Sequence, residues 1–81
     1  MARVLLFGRL ADVAGWRARE VEPVPRRLSE LRALLGRQDP ALAEALAGRG
    51  VRAAVDKALV GEDVELAGAS EIAFMPPMSG G

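Results

Sequence analysis

The sequence predicts an α+β domain in which one main helix lies on a mixed sheet, with short helices at the junctions. Three observations predict it. Short apolar or alternating runs at residues 4–7, 51–55 and 71–75 read as strands, while Leu28, Leu31, Leu34 and Leu35 recur at helical spacing. The strands also gather at both ends of the chain around that helix, instead of alternating with helices. At 81 residues and 51% hydrophobic content the chain suits a single domain with a real core.

Val4-Leu5-Leu6-Phe7 is a continuous apolar run closed by Gly8, expected to be a strand buried on both faces or central in its sheet. Leu10 to Ala14 gives about one helical turn stopped by Gly15. Residues 16–21 are charge-rich and extended, and Pro23 and Pro25 end them, so an edge strand is expected. The Leu28 stripe marks the main helix, with Ser29, Glu30, Arg32 and Arg37 on its other face. Arg27 stands where a Ser, Thr or Asp cap is preferred, so the helix entrance is poor. Asp39-Pro40 fits an N-cap followed by proline at the first helical position, opening a second short helix through Ala47. Residues 51–55 read as a strand, Asp56-Lys57 as a turn, Leu59-Val60 as a short strand, and Glu71 to Met75 as the last strand.

The absences narrow the chemistry. The chain has no Cys, His or Tyr, and its eleven basic residues balance eleven acidic ones. There is thus no disulfide framework, thiolate nucleophile or imidazole base, and no electrostatic reason to bind nucleic acid or an anionic membrane. No signal-peptide core or membrane-length apolar run is present. A cytoplasmic protein with no bound metal or cofactor, and without catalytic side chains of its own, is expected. Asp12 with Glu62-Asp63 reads as surface carboxylates in preference to a metal site. Arg17, Arg19 and Arg26-Arg27 read as solvated charge in preference to a phosphate site, and Trp16 as a cap on the core edge.

The chain closes with Pro76-Pro77-Met78-Ser79-Gly80-Gly81. Two prolines stop a ladder and bias the chain toward a polyproline II path, so residues 76–81 are expected to extend as a semi-rigid arm from a domain of residues 1–75. Gly80 and Gly81 lack side chains and could thread a channel that a β-carbon would block. The terminal carboxylate could be activated by ATP as an acyl-adenylate and then converted by a sulfur nucleophile to a thiocarboxylate. That route needs no Cys or His in the carrier. Against this stands a frayed terminus, since two terminal glycines occur by chance in roughly 0.5% of chains.

The whole ending, Phe74-Met75-Pro76-Pro77-Met78-Ser79-Gly80-Gly81, resembles the aromatic-X-Pro-Pro-X-Ser/Thr-Gly-Gly terminus of the molybdopterin synthase small subunit family. The likeness extends to Val4-Leu5-Leu6-Phe7 with Leu10 to Gly15, to Leu28 and Glu30-Leu31, and to Ala53-Ala54-Val55. Two departures stand out. Asp56 replaces the family's usual Asn after the third strand, and Gly68-Ala69-Ser70-Glu71 replaces its Asp-Gly-Asp-Glu turn, placing the glycine one position earlier.

This resemblance implies a ubiquitin-like β-grasp fold and a sulfur carrier for molybdenum cofactor biosynthesis. Gly81 would be adenylated by a ubiquitin-activating-type adenylyltransferase using ATP. The thiocarboxylate would then enter the large, catalytic subunit of a heterotetrameric molybdopterin synthase and give sulfur to cyclic pyranopterin monophosphate. Pro76, Pro77, Met78 and Ser79 would contact these partners. By the same resemblance Phe7, Leu59 and Met75 form an apolar partner patch; Phe7 reads equally well as core, while Leu59 and Met75 favour interface. The alternatives are a carrier for thiazole, cysteine or tRNA thiolation, a ubiquitin-like modifier joined to lysines, and an interaction domain with an inert tail.

Overall fold

The computed structural model describes residues 1–61 and 63–77. Its elements run β1 (Ala2–Leu6), α1 (Arg9–Ala14), β2 (Ala18–Val21), α2 (Leu28–Gln38), α3 (Pro40–Leu46), β3 (Arg52–Val55), β4 (Ala58–Val60) and β5 (Glu71–Met75). The strands form one sheet in the order β2-β1-β5-β3-β4. The β1–β5 pair is parallel and the other pairs are antiparallel, so the sheet is mixed. The last strand is thereby inserted at the centre, and β2 is an edge as its charge-rich sequence led one to expect.

The core lies on one side of the sheet. Val4 and Leu6 of β1, Ile72 and Phe74 of β5, and Ala53 of β3 meet Leu28, Leu31 and Leu35 of α2 and Leu42 and Leu46 of α3 in one buried cluster. Alternation along the strands sends these side chains to one face and their neighbours to the other. β1 is flanked by β2 and β5, but it is not buried on both faces: Arg3 is exposed and Leu5 only half-buried. The continuous apolar run suggested two covered faces, whereas the protein leaves the second face open.

The poor entrance to α2 is repaired from a distance. The Arg27 backbone N–H donates to Glu30 Oε1 at 3.0 Å. Asp63 supplies the missing cap: Ser29 donates to it through its N–H and its hydroxyl, each at 2.8 Å, and Arg27 Nε donates at 2.9 Å. These contacts satisfy an end N–H of the helix that its own N-cap residue leaves unpaired. The Arg27 guanidinium, with the Ser29 donors, pulls the Asp63 carboxyl down from its ordinary 3.8 to about 2. At α3 the expected cap is present, with Leu42 N–H donating to Asp39 Oδ1 at 3.2 Å and Pro40 opening the helix.

Both turns at the sheet's far end use positive φ. Asp56 (φ 48°) and Lys57 (φ 72°) form a two-residue hairpin turn between β3 and β4. Asp56 Oδ1 also accepts the N–H groups of Ser70 and Glu71, at 2.9 and 3.0 Å, tying that hairpin to the start of β5. Gly68, at φ 78°, sits third in a turn closed by Ala69 N–H donating to the Leu66 carbonyl at 2.9 Å. That is the position where a type II turn needs glycine, so the shifted glycine of the sequence has a defined geometric role.

Candidate functional site

Strand register arranges the open face of the sheet in rows. Ala18, Leu5, Ala73, Ala54 and Leu59 are successive partners across all five strands. Neighbouring strands lie about 4.8 Å apart, so this apolar row is roughly 19 Å long. Ala54 and Ala73 are buried between their neighbours yet stand outside the core cluster, as do Leu5 and Met75. On one side of the row lies a charged row, Glu20, Arg3 and Glu71. On the other, Met75 pairs with Arg52, and Phe7 lies one step beyond the Leu6–Phe74 pair, its N–H bonded to the Phe74 carbonyl at 3.1 Å. Polarity thus falls along the sheet toward the end where the chain leaves β5.

The three residues expected to form an apolar patch are brought to this one face. Among the described residues the exposed large hydrophobics are Met1, Phe7 and Leu59, with Phe7 48% and Leu59 61% exposed. Met75 is half-buried. Neither Phe7 nor Leu59 belongs to the core cluster, so the reading of Phe7 as core is not what the structure has. Leu5, Ala54 and Ala73 complete the row and went unremarked in the sequence. The period of two that carries them was present, since Leu5 stands two before Phe7 and Ala73 two before Met75. It was hidden because both faces of these strands are apolar.

The root of the tail is built by two glycines. Gly8 (φ 55°) lies in the β1–α1 junction and Gly50 (φ 86°) in the α3–β3 junction. A β-carbon on Gly8 would come within 2.9 Å of Pro76 Cγ, and one on Gly50 within 2.7 Å of Pro77 Cβ. The two prolines therefore rest against the ends of the strands that flank β5, and a residue with a side chain at either glycine would displace them. An extended arm was expected from residue 76 onward, but contact with the body continues through residue 77. Met78, Ser79, Gly80 and Gly81 lie outside the described residues.

Other candidates have structural employment. Arg19 stacks on Trp16 with its guanidinium carbon 4.4 Å from the ring centre, and Trp16 packs at the core edge as expected. Arg27 is held by Asp63, which removes both from the phosphate and metal readings. No group of three or more His, Cys, Asp or Glu suited to a metal ion occurs among the described residues. No helix among them is long and apolar enough to cross a membrane.

The ThiS family model matches residues 4–81, nearly the whole chain including its glycine terminus. The chain belongs to the ThiS family. It is 35% identical over all 81 residues, and over the full length of the relative, to the molybdopterin synthase sulfur carrier subunit of Escherichia coli (strain K12). Its fold matches the crystal structure of SAMP1 from Haloferax volcanii with a TM-score of 0.82, at 25% identity over 99% of this chain and 98% of that one. A second crystal structure, of H. volcanii small archaeal modifier protein 1, matches with a TM-score of 0.72 at 23% identity over 96% and 100%. The expected ubiquitin-like β-grasp architecture is thus the observed one, in a ubiquitin-like family of sulfur carriers.

Proposed function

We propose that this ThiS-family chain is the sulfur-carrier small subunit of a molybdopterin synthase. The observation that carries the reading is the full-length 35% identity to a sulfur carrier subunit of that enzyme, in a chain ending Pro-Pro-Met-Ser-Gly-Gly. The Gly81 carboxylate attacks the α-phosphorus of ATP in an adenylyltransferase, releasing pyrophosphate and leaving an acyl-adenylate. A hydrosulfide nucleophile adds at the carbonyl carbon and expels AMP, leaving a thiocarboxylate. On the large subunit that sulfur adds to an electrophilic carbonyl carbon of cyclic pyranopterin monophosphate, whose C=O π bond breaks as its oxygen takes a proton. Water then attacks the Gly81 acyl carbon and breaks its bond to sulfur, restoring the carboxylate and leaving the sulfur on the pterin.

In this cycle the chain supplies a thin terminus and a recognition surface, and its partners supply the reactive side chains and the ATP site. That division accords with a sequence lacking His and Cys. The apolar row with Phe7 and Met75 offers one surface for both partners, next to the tail root. Net charge zero favours recognition by such a patch over long-range steering. The expected compartment is the cytoplasm, where ATP and the activating enzyme would be met.

The test is the intact mass of the protein after incubation with an activating enzyme, ATP and a sulfide source. Exchange of one oxygen for sulfur at Gly81, absent when Gly81 is deleted, is the expected result. An unchanged mass beside an authentic carrier charged in parallel overturns the reading. A second reading, a carrier for another thiolation pathway, is favoured by the match to the ThiS family as a whole. Transfer of sulfur to cyclic pyranopterin monophosphate by the charged protein and a large subunit decides between the two.

A further inference from the structure

We infer that Gly8, Gly50, Pro76 and Pro77 form a clamp that aims the C-terminal tail, acting as positioning residues for the chemistry at Gly81; this rests on the carrier reading above. The argument begins with topology. β5 is the central strand, parallel to β1 on one side and antiparallel to β3 on the other. At the end where the chain leaves β5, β1 is finishing and β3 is starting, so both neighbours place their junctions beside the departing chain. Each junction carries a glycine at positive φ, and each glycine faces one of the prolines.

The contacts are too close to be incidental. Separations of 2.9 Å and 2.7 Å to a constructed β-carbon mean that only a hydrogen fits between each glycine and its proline. Pro76 is half-buried, and both prolines also wall a groove whose other side is formed by Leu10, Val13 and Val51. Proline fixes its own φ and restricts the residue before it, so Met75 to Pro77 has few conformations to choose from. Two rigid rings against two fixed backbone points define a direction as well as a position. The terminus then begins its path from the edge of the apolar face, and a partner docked on that face receives the tail along one line of approach.

A clamp of this kind acts after docking. Binding of the face sets the KM for charging, and the fraction of docked molecules whose tail points into the active site sets kcat. Pro76→Ala and Pro77→Ala, singly and together, restore backbone freedom at the tail root without touching the face. By the conformational-entropy effect of proline, each substitution lowers kcat about twofold to fivefold and the pair about fourfold to 25-fold, with KM moving less than kcat. The companion measurement is independent of charging: carbon relaxation at the α-carbons of residues 76 and 77. In the wild type both are expected to be as ordered as β5, and in the double variant to lose that order while the melting temperature holds. Pro77→Ala alone, at an exposed site, keeps the test alive should the double variant fold poorly.

Order at residues 76 and 77 that is unchanged by the substitutions overturns the clamp. Loss of that order with kcat unaltered overturns its positioning role. A wild-type protein that is never charged contradicts the carrier reading instead, and the relaxation measurement then still decides whether the clamp exists.

Discussion

Leu59→Asp separates a docking surface from a core residue more sharply than any other single change. Leu59 is 61% exposed and lies outside the core cluster, at the end of the apolar row on edge strand β4. Fully burying a leucine side chain is worth about 1.5–3 kcal/mol. Covering the exposed fraction of this one in a partner interface is therefore worth about 0.9–1.8 kcal/mol. Leu59→Ala forfeits most of that and weakens binding roughly fivefold to twentyfold, at 1.4 kcal/mol per tenfold. Leu59→Asp adds an unpaired carboxylate in a desolvated contact, at about 1–3 kcal/mol more, and brings the loss to roughly 20-fold to 3000-fold. The cost to the free protein stays within about 0.5 kcal/mol, as is usual for surface positions.

The assay is titration calorimetry against the adenylating enzyme, paired with thermal melting of the isolated variants. Weakened binding with an unchanged melting temperature is the expected outcome. Loss of cooperative melting in Leu59→Asp would show that Leu59 supports the fold, and full-affinity binding would show that partners dock elsewhere. Under steady-state charging this variant raises KM. The proline substitutions lower kcat, so the two sets of variants test face and clamp separately.

Three further outcomes are expected. Asp63→Asn keeps an amide oxygen for the Ser29 N–H but loses the charge and the second oxygen that hold Arg27 and the Ser29 hydroxyl, and so lowers the melting temperature at neutral pH. Because folding depresses the Asp63 pKa from 3.8 to about 2, its stabilisation is fully present above pH ~4 and is lost as the pH falls through ~2; melting curves of wild type and variant should converge over that interval. Asp56→Asn should leave stability nearly unchanged, because an amide oxygen can still accept the Ser70 and Glu71 N–H groups and Asn tolerates φ 48°; Asp56→Ala loses both acceptances and costs about 1–3 kcal/mol by denaturant unfolding. Deleting Gly80 and Gly81 should abolish charging, read by intact mass, while the melting temperature stays that of the full chain.

Much of the fold was legible in the sequence because local and global signals agree. The Leu28 stripe buries Leu28, Leu31 and Leu35, the Asp39-Pro40 signal opens α3, and Gly15 ends α1 in the left-handed region at φ 83°. What was not legible depends on contacts between distant segments. The cap of α2 comes from Asp63, thirty-four residues beyond Ser29, and no local pattern announces such a pairing. The central place of β5 follows from its parallel pairing with β1, which alternation along a single strand cannot reveal. The candidate site divides in the same way. The tail motif named its terminal residues, of which 78–81 lie outside the described residues, and family resemblance named Phe7, Leu59 and Met75, which register brings to one face. The alanine middle of the apolar row, and the two glycines under the prolines, appear only when register brings them together.

Under the carrier reading, that middle bears on how the open face meets a partner. Ala54 and Ala73 are direct partners at the centre of the row, with Leu5 on one flank and Leu59 on the other. Both alanines are buried, so a partner meets this row chiefly through its longer side chains, the half-buried Leu5 and the exposed Leu59. A larger residue at position 54 or 73 would crowd its neighbours on the open face and not the helix-side core, since neither alanine belongs to it. Surface complementarity and stability are thus written on opposite faces of the same strands. Under the carrier reading, one face can satisfy two partners in turn while the other keeps the fold, and the chemistry of the cycle is confined to the Gly81 carboxylate.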